Sequence, residues 1–161
     1  MEFQDFQGRL DFGTHVIGDD MDLFTNDGKY MCWSIESAIK EAEINGFEVI
    51  HSNIDRLLLD LDDEQALKTY EKVLPVVAVQ LELKELDRWK SKSGTGTHVI
   101  LQCKPLSFVK RVAIQAALGS DPIRECLAIS MEIDGLIEPS VLFKPPKDYN
   151  YEVSKSNEAN I

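Results

Sequence analysis

Cysteine is scarce in this chain. Cys32, Cys103 and Cys126 are odd in number, widely spaced and outside any CxxC pair, which argues against a disulfide framework or a zinc site and marks them as reduced core cysteines of a cytosolic protein. Long apolar runs are missing too. The richest, Leu74 to Leu83, contains Pro75, Gln80 and Glu82 and is too short and too polar to span a bilayer, so no membrane association is expected. The start, Met1-Glu2-Phe3-Gln4-Asp5, has neither the basic residues nor the apolar stretch of a signal peptide, and a cytoplasmic location is expected, the host cytoplasm if the chain is viral. No internal repeat or low-complexity segment is visible. Positive charge is in short supply: 17 Lys and Arg stand against 28 Asp and Glu, a net charge of −11, which argues against a protein that coats nucleic acid nonspecifically.

The charge that is present is unevenly placed. Residues 1–83 hold 6 basic and 18 acidic residues, a net −12, whereas residues 84–161 hold 11 and 10. Within 84–124 the count is 8 basic against 3 acidic. A basic middle segment beside an acidic half suits either a solvated charged face or a surface that holds a triphosphate or a nucleic-acid backbone.

At 161 residues the chain is long enough for one domain with a buried core. The periodicities predict a single α+β domain over 1–148, with an irregular segment over 1–30 and a polar tail over 149–161. Phe12 to Ile17 reads as a short strand. Ser34 caps a helix whose apolar positions Ile35, Ala38, Ile39 and Ala42 share one face, and Asn45-Gly46 stops it. Phe47 to His51 and Arg56 to Asp62 read as strands, the second central because Leu57-Leu58-Leu59 is apolar on both faces. Asp63 caps a helix from Glu64 to Val73 that Pro75 ends. Val76 to Leu83 fits strand or helix. Asp87 to Lys92 and Thr97 to Gln102 pair as a hairpin around Ser93-Gly94-Thr95-Gly96. Helices follow over Ser107 to Leu118 and from Asp121-Pro122 to about Met131, then a strand over Pro139 to Phe143. The expected architecture is a mixed, largely antiparallel sheet covered by helices.

Two motifs carry chemistry. Asp60 and Asp62 stand at spacing two on an apolar strand, so their carboxylates share one face at the rim of the core. Such a pair repels itself unless a cation or basic groups stand between, and hard cations take carboxylate oxygens, which points to Mg²⁺ or Mn²⁺. The alternative is an exposed Asp60 beside a helix cap. The second motif is Ser93-Gly94-Thr95-Gly96-Thr97-His98. Glycines let amide groups turn toward an anion, the hydroxyls add donors, His98 opens the next strand, and Lys90 and Lys92 lie on the approach. The turn lacks the lysine of a P-loop and does not lead into a helix, so a plain hairpin turn is the competing reading. Gly119-Ser120-Asp121-Pro122 is sufficiently explained as a helix stop, a cap and a proline start, with Arg124 placed near a helix N-terminus where a phosphate would bind. A third carboxylate is sought at Asp134, which follows Ile133, or at Glu138, which precedes a strand. His15 and His51 show no ligand spacing.

Together the motifs resemble the archaeo-eukaryotic primase superfamily, the primase-polymerase group, whose core carries an apolar strand ending in Asp-x-Asp and, on a later strand, a Ser-Gly-rich turn followed by His. Leu59-Asp60-Leu61-Asp62 and Ser93-Gly94-Thr95-Gly96-Thr97-His98-Val99 match, and the likeness covers residues 47–143, extending to short phage-type primase-like proteins at Leu118-Gly119-Ser120-Asp121-Pro122 and Leu142-Phe143. The resemblance implies an RRM-like sheet and Asp60 and Asp62 as ligands of a divalent metal. It also implies Ser93 and His98 as contacts to the phosphates of an incoming nucleoside triphosphate. The expected activity is metal-dependent nucleotidyl transfer of primase or polymerase type in phage- or plasmid-like DNA replication. Asp60, Asp62 and His98 are then catalytic. Ser93, Gly94, Thr95, Gly96, Thr97, His98, Lys90 and Lys92 hold the nucleotide, and Lys110, Arg111 and Arg124 the single-stranded template. Two alternatives stay open: a primase-like module that binds nucleotide, nucleic acid or a replication or defence protein without synthesis, and a metal-dependent nuclease on the same carboxylates.

Overall fold

The computed structural model describes residues 14–16, 21–24, 30–33, 35–91 and 94–151. The expected cap at Ser34, the turn residues Lys92 and Ser93, and residues 152–161 of the expected tail lie outside the described residues. In chain order the elements are β1 (Thr14–Val16), β2 (Met21–Phe24), β3 (Tyr30–Trp33), α1 (Ile35–Ile44), β4 (Glu48–His51), β5 (Arg56–Leu61), α2 (Glu64–Leu81), β6 (Lys84–Lys90), β7 (Thr97–Gln102), α3 (Phe108–Ala117), α4 (Pro122–Ile133) and β8 (Ser140–Lys144).

The strand β5 organises the centre. Its side chains alternate between faces. Leu57, Leu59 and Leu61 point to one side and, with Val99 and Leu101 of β7, pack on α2 through Tyr70 and the partly buried Ala66, Leu67, Val73, Leu74, Val77, Ala78 and Leu81. Leu58 points to the other side and joins Ile100, Ile50 of β4 and Leu142 of β8. Three strands pair in the order β5-β7-β6, and a second sheet has the order β1-β8-β4. α1 covers the far side of this second sheet through Ala42 and Ile39 against Val141, Phe143 and Val49. The layers therefore run helix, sheet, sheet, helix, and every described pairing is antiparallel. The protein is α+β, as the sequence pattern predicts, but the single mixed sheet expected is replaced by two packed antiparallel sheets and a β2–β3 hairpin. The order β5-α2-β6-β7-α3-α4-β8 keeps the strand and helix succession of an RRM-like unit. Its last strand, however, pairs with β1 and β4 instead of completing the sheet of β5. No helix among the described residues is long and apolar enough to cross a membrane.

α2 does not stop at Pro75. It begins on Asp63, whose carboxylate accepts the amide of Ala66 at 2.8 Å, and runs to Leu81, with Glu82 as a left-handed cap. An internal proline costs about 3 kcal/mol. Continuation keeps the partly buried Val77, Ala78 and Leu81 packed on the core and retains the backbone hydrogen bonds of the last helical turns, which together offset the proline.

β6 is tied to α2 by an ionic cluster. Tyr70 donates to Glu85 Oε2, Arg88 grips both oxygens of Glu85 through Nε and Nη2 at 2.7 and 2.8 Å, and Arg88 Nη1 reaches Glu71 at 3.2 Å. The hydrogen bonds from Arg88 hold the Glu85 carboxyl below its ordinary proton affinity. A depressed folded-state value means that the stability contributed is present above the unfolded pKa and lost as pH falls through the folded one. The urea midpoint of Glu85→Gln is therefore expected to lie below that of the parent by a constant amount above about pH 6, and the gap to shrink below about pH 4. A gap that persists undiminished in acid would refute this assignment.

Candidate metal centre

Asp60 follows Leu58 on the face of β5 turned away from α2, and Asp62 stands one residue beyond the strand. Asp60 is 7% exposed while Asp62 is open to solvent. Register places Asp60 directly opposite His98 on β7, and His98 in turn opposite Trp89 on β6. The row is in contact along its length. His98 Nε2 stands 3.2 Å from Asp60 Oδ1, and the Trp89 ring meets the imidazole edge-on at 5.6 Å between centroids. Trp89 is itself anchored by donating Nε1 to the carbonyl of Phe143. The histidine past the glycines thus lies against Asp60 of the carboxylate pair.

A third carboxylate arrives from the turn between α3 and α4. Gly119, with φ of 101°, takes the left-handed conformation that ends α3. Ser120 and Asp121 then dock on the backbone of Asp60. Ser120 Oγ accepts the Asp60 amide at 2.9 Å, and the Asp121 amide donates to the Asp60 carbonyl at 2.8 Å. Two residues earlier on the same edge, the Leu58 amide donates to Gln115 Oε1 at 3.0 Å and the Leu58 carbonyl accepts from Arg124 Nη1 at 3.2 Å. The edge of β5 that no strand covers is thus satisfied group by group by the α3–α4 hairpin. Behind these contacts lies Glu125, which accepts Ser120 Oγ at 2.7 Å, Gln115 Nε2 at 2.8 Å and Arg124 Nη1 at 2.9 Å. Burial pushes the Glu125 carboxyl up in proton affinity, against the opposing pull of Arg124, Ser120 and Gln115. Arg124 also donates to Ser140 Oγ at the start of β8.

The docking brings one oxygen each of Asp60, Asp62 and Asp121 within 4.8 Å of one another, so the three could hold a metal ion. Their chemistry fits a hard divalent cation, which prefers anionic oxygen donors. Asp121 does double duty. Its Oδ1 accepts the Ile123 amide at 2.9 Å and caps α4, while burial, aided by the charge of Asp60, pushes its carboxyl above the ordinary range. Like charges held this close favour a cation among them.

The glycine turn packs against the same strand end. A Cβ on Gly96 would meet the Leu61 carbonyl at 2.9 Å and that of Asp62 at 3.3 Å, so only glycine lets the turn sit there. The amides expected to face an anion are used inside the turn: Gly94 N–H donates to the Ser91 carbonyl at 2.9 Å and Gly96 N–H to Ser91 Oγ at 3.1 Å. Thr95 is exposed, Thr97 half-buried, and Lys90 exposed at the end of β6, its carbonyl accepting from the Tyr151 hydroxyl. His98 is 0% exposed, so in this structure its ring meets the carboxylate and not solvent.

Other expected residues lie elsewhere. The third acid beside the pair is Asp121, where the sequence pointed to Asp134 or Glu138. Asp134 caps the C-terminal end of α4, and Glu138 pairs with Arg111. Arg111 and Arg124, expected on a template, are buried. Arg111 is committed to Glu138 and the Leu106 carbonyl, and Arg124 to the edge of β5. Of the three basic residues assigned to the template, Lys110 remains exposed. Asp121 was visible in Gly119-Ser120-Asp121-Pro122, but its role as a cap accounts for that pattern by itself. No protein-family model, curated protein or solved structure matches the chain.

Proposed function

We propose that the chain is a nucleotidyltransferase of primase-polymerase type, acting in DNA replication with Mg²⁺ or Mn²⁺ held by Asp60, Asp62 and Asp121. The observation that supports it best is the convergence of these carboxylates from two distant segments on a strand end whose backbone is clamped in place, with His98 in contact and the glycine turn against it. When bound, the cation supplies charge that activates a hydroxyl nucleophile and stabilises phosphate oxygens. The chain's own groups do the rest. His98 orients Asp60, as outer partners of metal ligands commonly do. Lys90, Thr95 and Thr97, with Lys92 and Ser93, contact the nucleoside triphosphate, and Lys110 contributes to binding a single-stranded template.

The test is incorporation of labelled nucleoside triphosphates on primed and unprimed single strands with Mn²⁺ or Mg²⁺. Product is expected from the parent protein and not from the Asp60→Ala, Asp62→Ala double variant. Absence of incorporation by the parent with either metal would end the synthetic reading. A second reading, hydrolysis of a phosphodiester on the same carboxylates, is favoured by one observation: the amides of Gly94 and Gly96 are spent on Ser91, and hydrolysis needs no triphosphate cradle. Shortening of an end-labelled single strand without added nucleotides would identify it.

A further inference from the structure

We infer that Glu125 is a positioning residue for the metal centre, setting through Ser120 and Gln115 the geometry of the strand that carries Asp60. The inference rests on the metal reading of Asp60, Asp62 and Asp121, and extends it to a residue whose carboxylate touches none of the three.

The reasoning starts from donors and acceptors. Ser120 must present a lone pair to the Asp60 amide, so its hydroxyl proton has to go elsewhere; it goes to Glu125 Oε1. Gln115 must present its oxygen to the Leu58 amide, so its NH₂ group has to face an acceptor; that acceptor is Glu125 Oε2. A carboxylate is the side chain that offers only acceptors in both directions. One anion therefore fixes the polarity of two side chains, and these hold two amides at spacing two on the outer edge of β5. Ser120 is the immediate neighbour of Asp121, so the same contact that seats Asp60 also sets where Asp121 enters the site. Arg124 balances the buried charge and, through Nη1, also holds the Leu58 carbonyl; its far hand, Nη2, reaches Ser140, and neither hand contacts Ser120 or Gln115 among the bonds described. The network thus has a branch aimed at the acidic triad and a branch aimed at the second sheet, which allows positioning to be separated from general support.

A glutamine at 125 would place a donor where Gln115 or Ser120 needs an acceptor. It would also leave Arg124 without its anion, so Glu125→Gln carries a risk of misfolding. Ser120→Ala keeps the ion pair and removes the one hydroxyl that joins Glu125 to the Asp60 amide. The experiment is titration of the intact protein with Mn²⁺, followed by electron paramagnetic resonance, with folding checked by circular dichroism. The dissociation constant is expected to rise about 10- to 100-fold in Ser120→Ala and in folded Glu125→Gln, the range seen when outer partners of metal ligands are removed. The double variant is expected to be no weaker than the weaker single one, because both changes cut one chain of contacts. Ser140→Ala, on the other branch, is expected to stay within about twofold of the parent. If Glu125→Gln does not fold, Glu125→Asp, which keeps the anion but draws it back from Ser120 and Gln115, takes its place beside Ser120→Ala and Ser140→Ala, with the same loss expected. Parent-like Mn²⁺ affinity in Ser120→Ala, full additivity in the double variant, or an equal loss in Ser140→Ala would overturn the positioning role. A parent protein that binds no Mn²⁺, or binds it equally well as Asp121→Asn, would overturn the metal reading itself.

Discussion

Asp121→Asn is expected to abolish most metal-dependent turnover while leaving the protein as stable as the parent, or more so, in metal-free buffer. Asparagine is as good a helix cap as aspartate, so the bond to the Ile123 amide survives. What disappears is a carboxylate whose ionised form is disfavoured by burial and by the charge of Asp60. The sign follows from linkage: a carboxyl whose folded-state pKa is raised contributes stability below its unfolded pKa and loses it as pH rises through the folded one. At neutral pH the ionised group is therefore a cost, and its removal relieves it. A cation held by three carboxylates reverses the balance, since ligand binding stabilises the state that binds it. Loss of one anionic ligand should reduce turnover roughly 10²- to 10³-fold, corresponding to a few kcal/mol of charge stabilisation. Asp134→Asn, at the exposed end of α4, should leave turnover unchanged. Thermal unfolding with and without Mn²⁺, beside the incorporation or cleavage assay, checks both halves. A variant that loses stability in metal-free buffer and keeps its activity would mean that Asp121 is a cap and nothing more.

Much of the site could be read from the chain because it rests on short-range rules. Alternation along Leu57 to Asp62 puts Asp60 and Asp62 at the end of a core strand, and the glycines between Asp87–Lys92 and the apolar Thr97–Gln102 give the β6–β7 hairpin. What local pattern leaves open is which strand lies beside which. The structure supplies that answer by setting Asp60 against His98. Arg111 and Arg124 show the limit of charge counting. A guanidinium counted toward a basic surface looks the same in sequence as one buried against Glu138 or Glu125, because the partner is defined only after the α3–α4 hairpin has docked. Asp121 was hidden by sufficiency: a cap followed by proline explains the residue locally, and its second role exists only because the turn meets the backbone of Asp60. Pro75 misleads for a related reason, since the cost of a proline is local and the burial that outweighs it is not.

The largest expected effect on folding belongs to Arg124→Met. The side chain is completely buried, and it satisfies the Leu58 carbonyl, the Glu125 carboxylate and the Ser140 hydroxyl. Methionine fills similar space but leaves a buried anion without its cation, which typically costs about 3–5 kcal/mol. Since a domain of this size is stable by only about 5–15 kcal/mol, the variant is expected to unfold at a much lower urea concentration than the parent. Replacing both partners, Arg124→Met with Glu125→Met, removes the unpaired charge and should recover part of the loss. Recovery in stability is not expected to restore Mn²⁺ affinity, because the methionine at 125 can neither take the proton of Ser120 nor accept from Gln115. From the single to the double variant the urea midpoint is thus expected to rise while the Mn²⁺ affinity stays low. If instead metal affinity returned together with stability, the carboxylate of Glu125 would be needed only to neutralise Arg124, and the clamp on Asp60 would work without it.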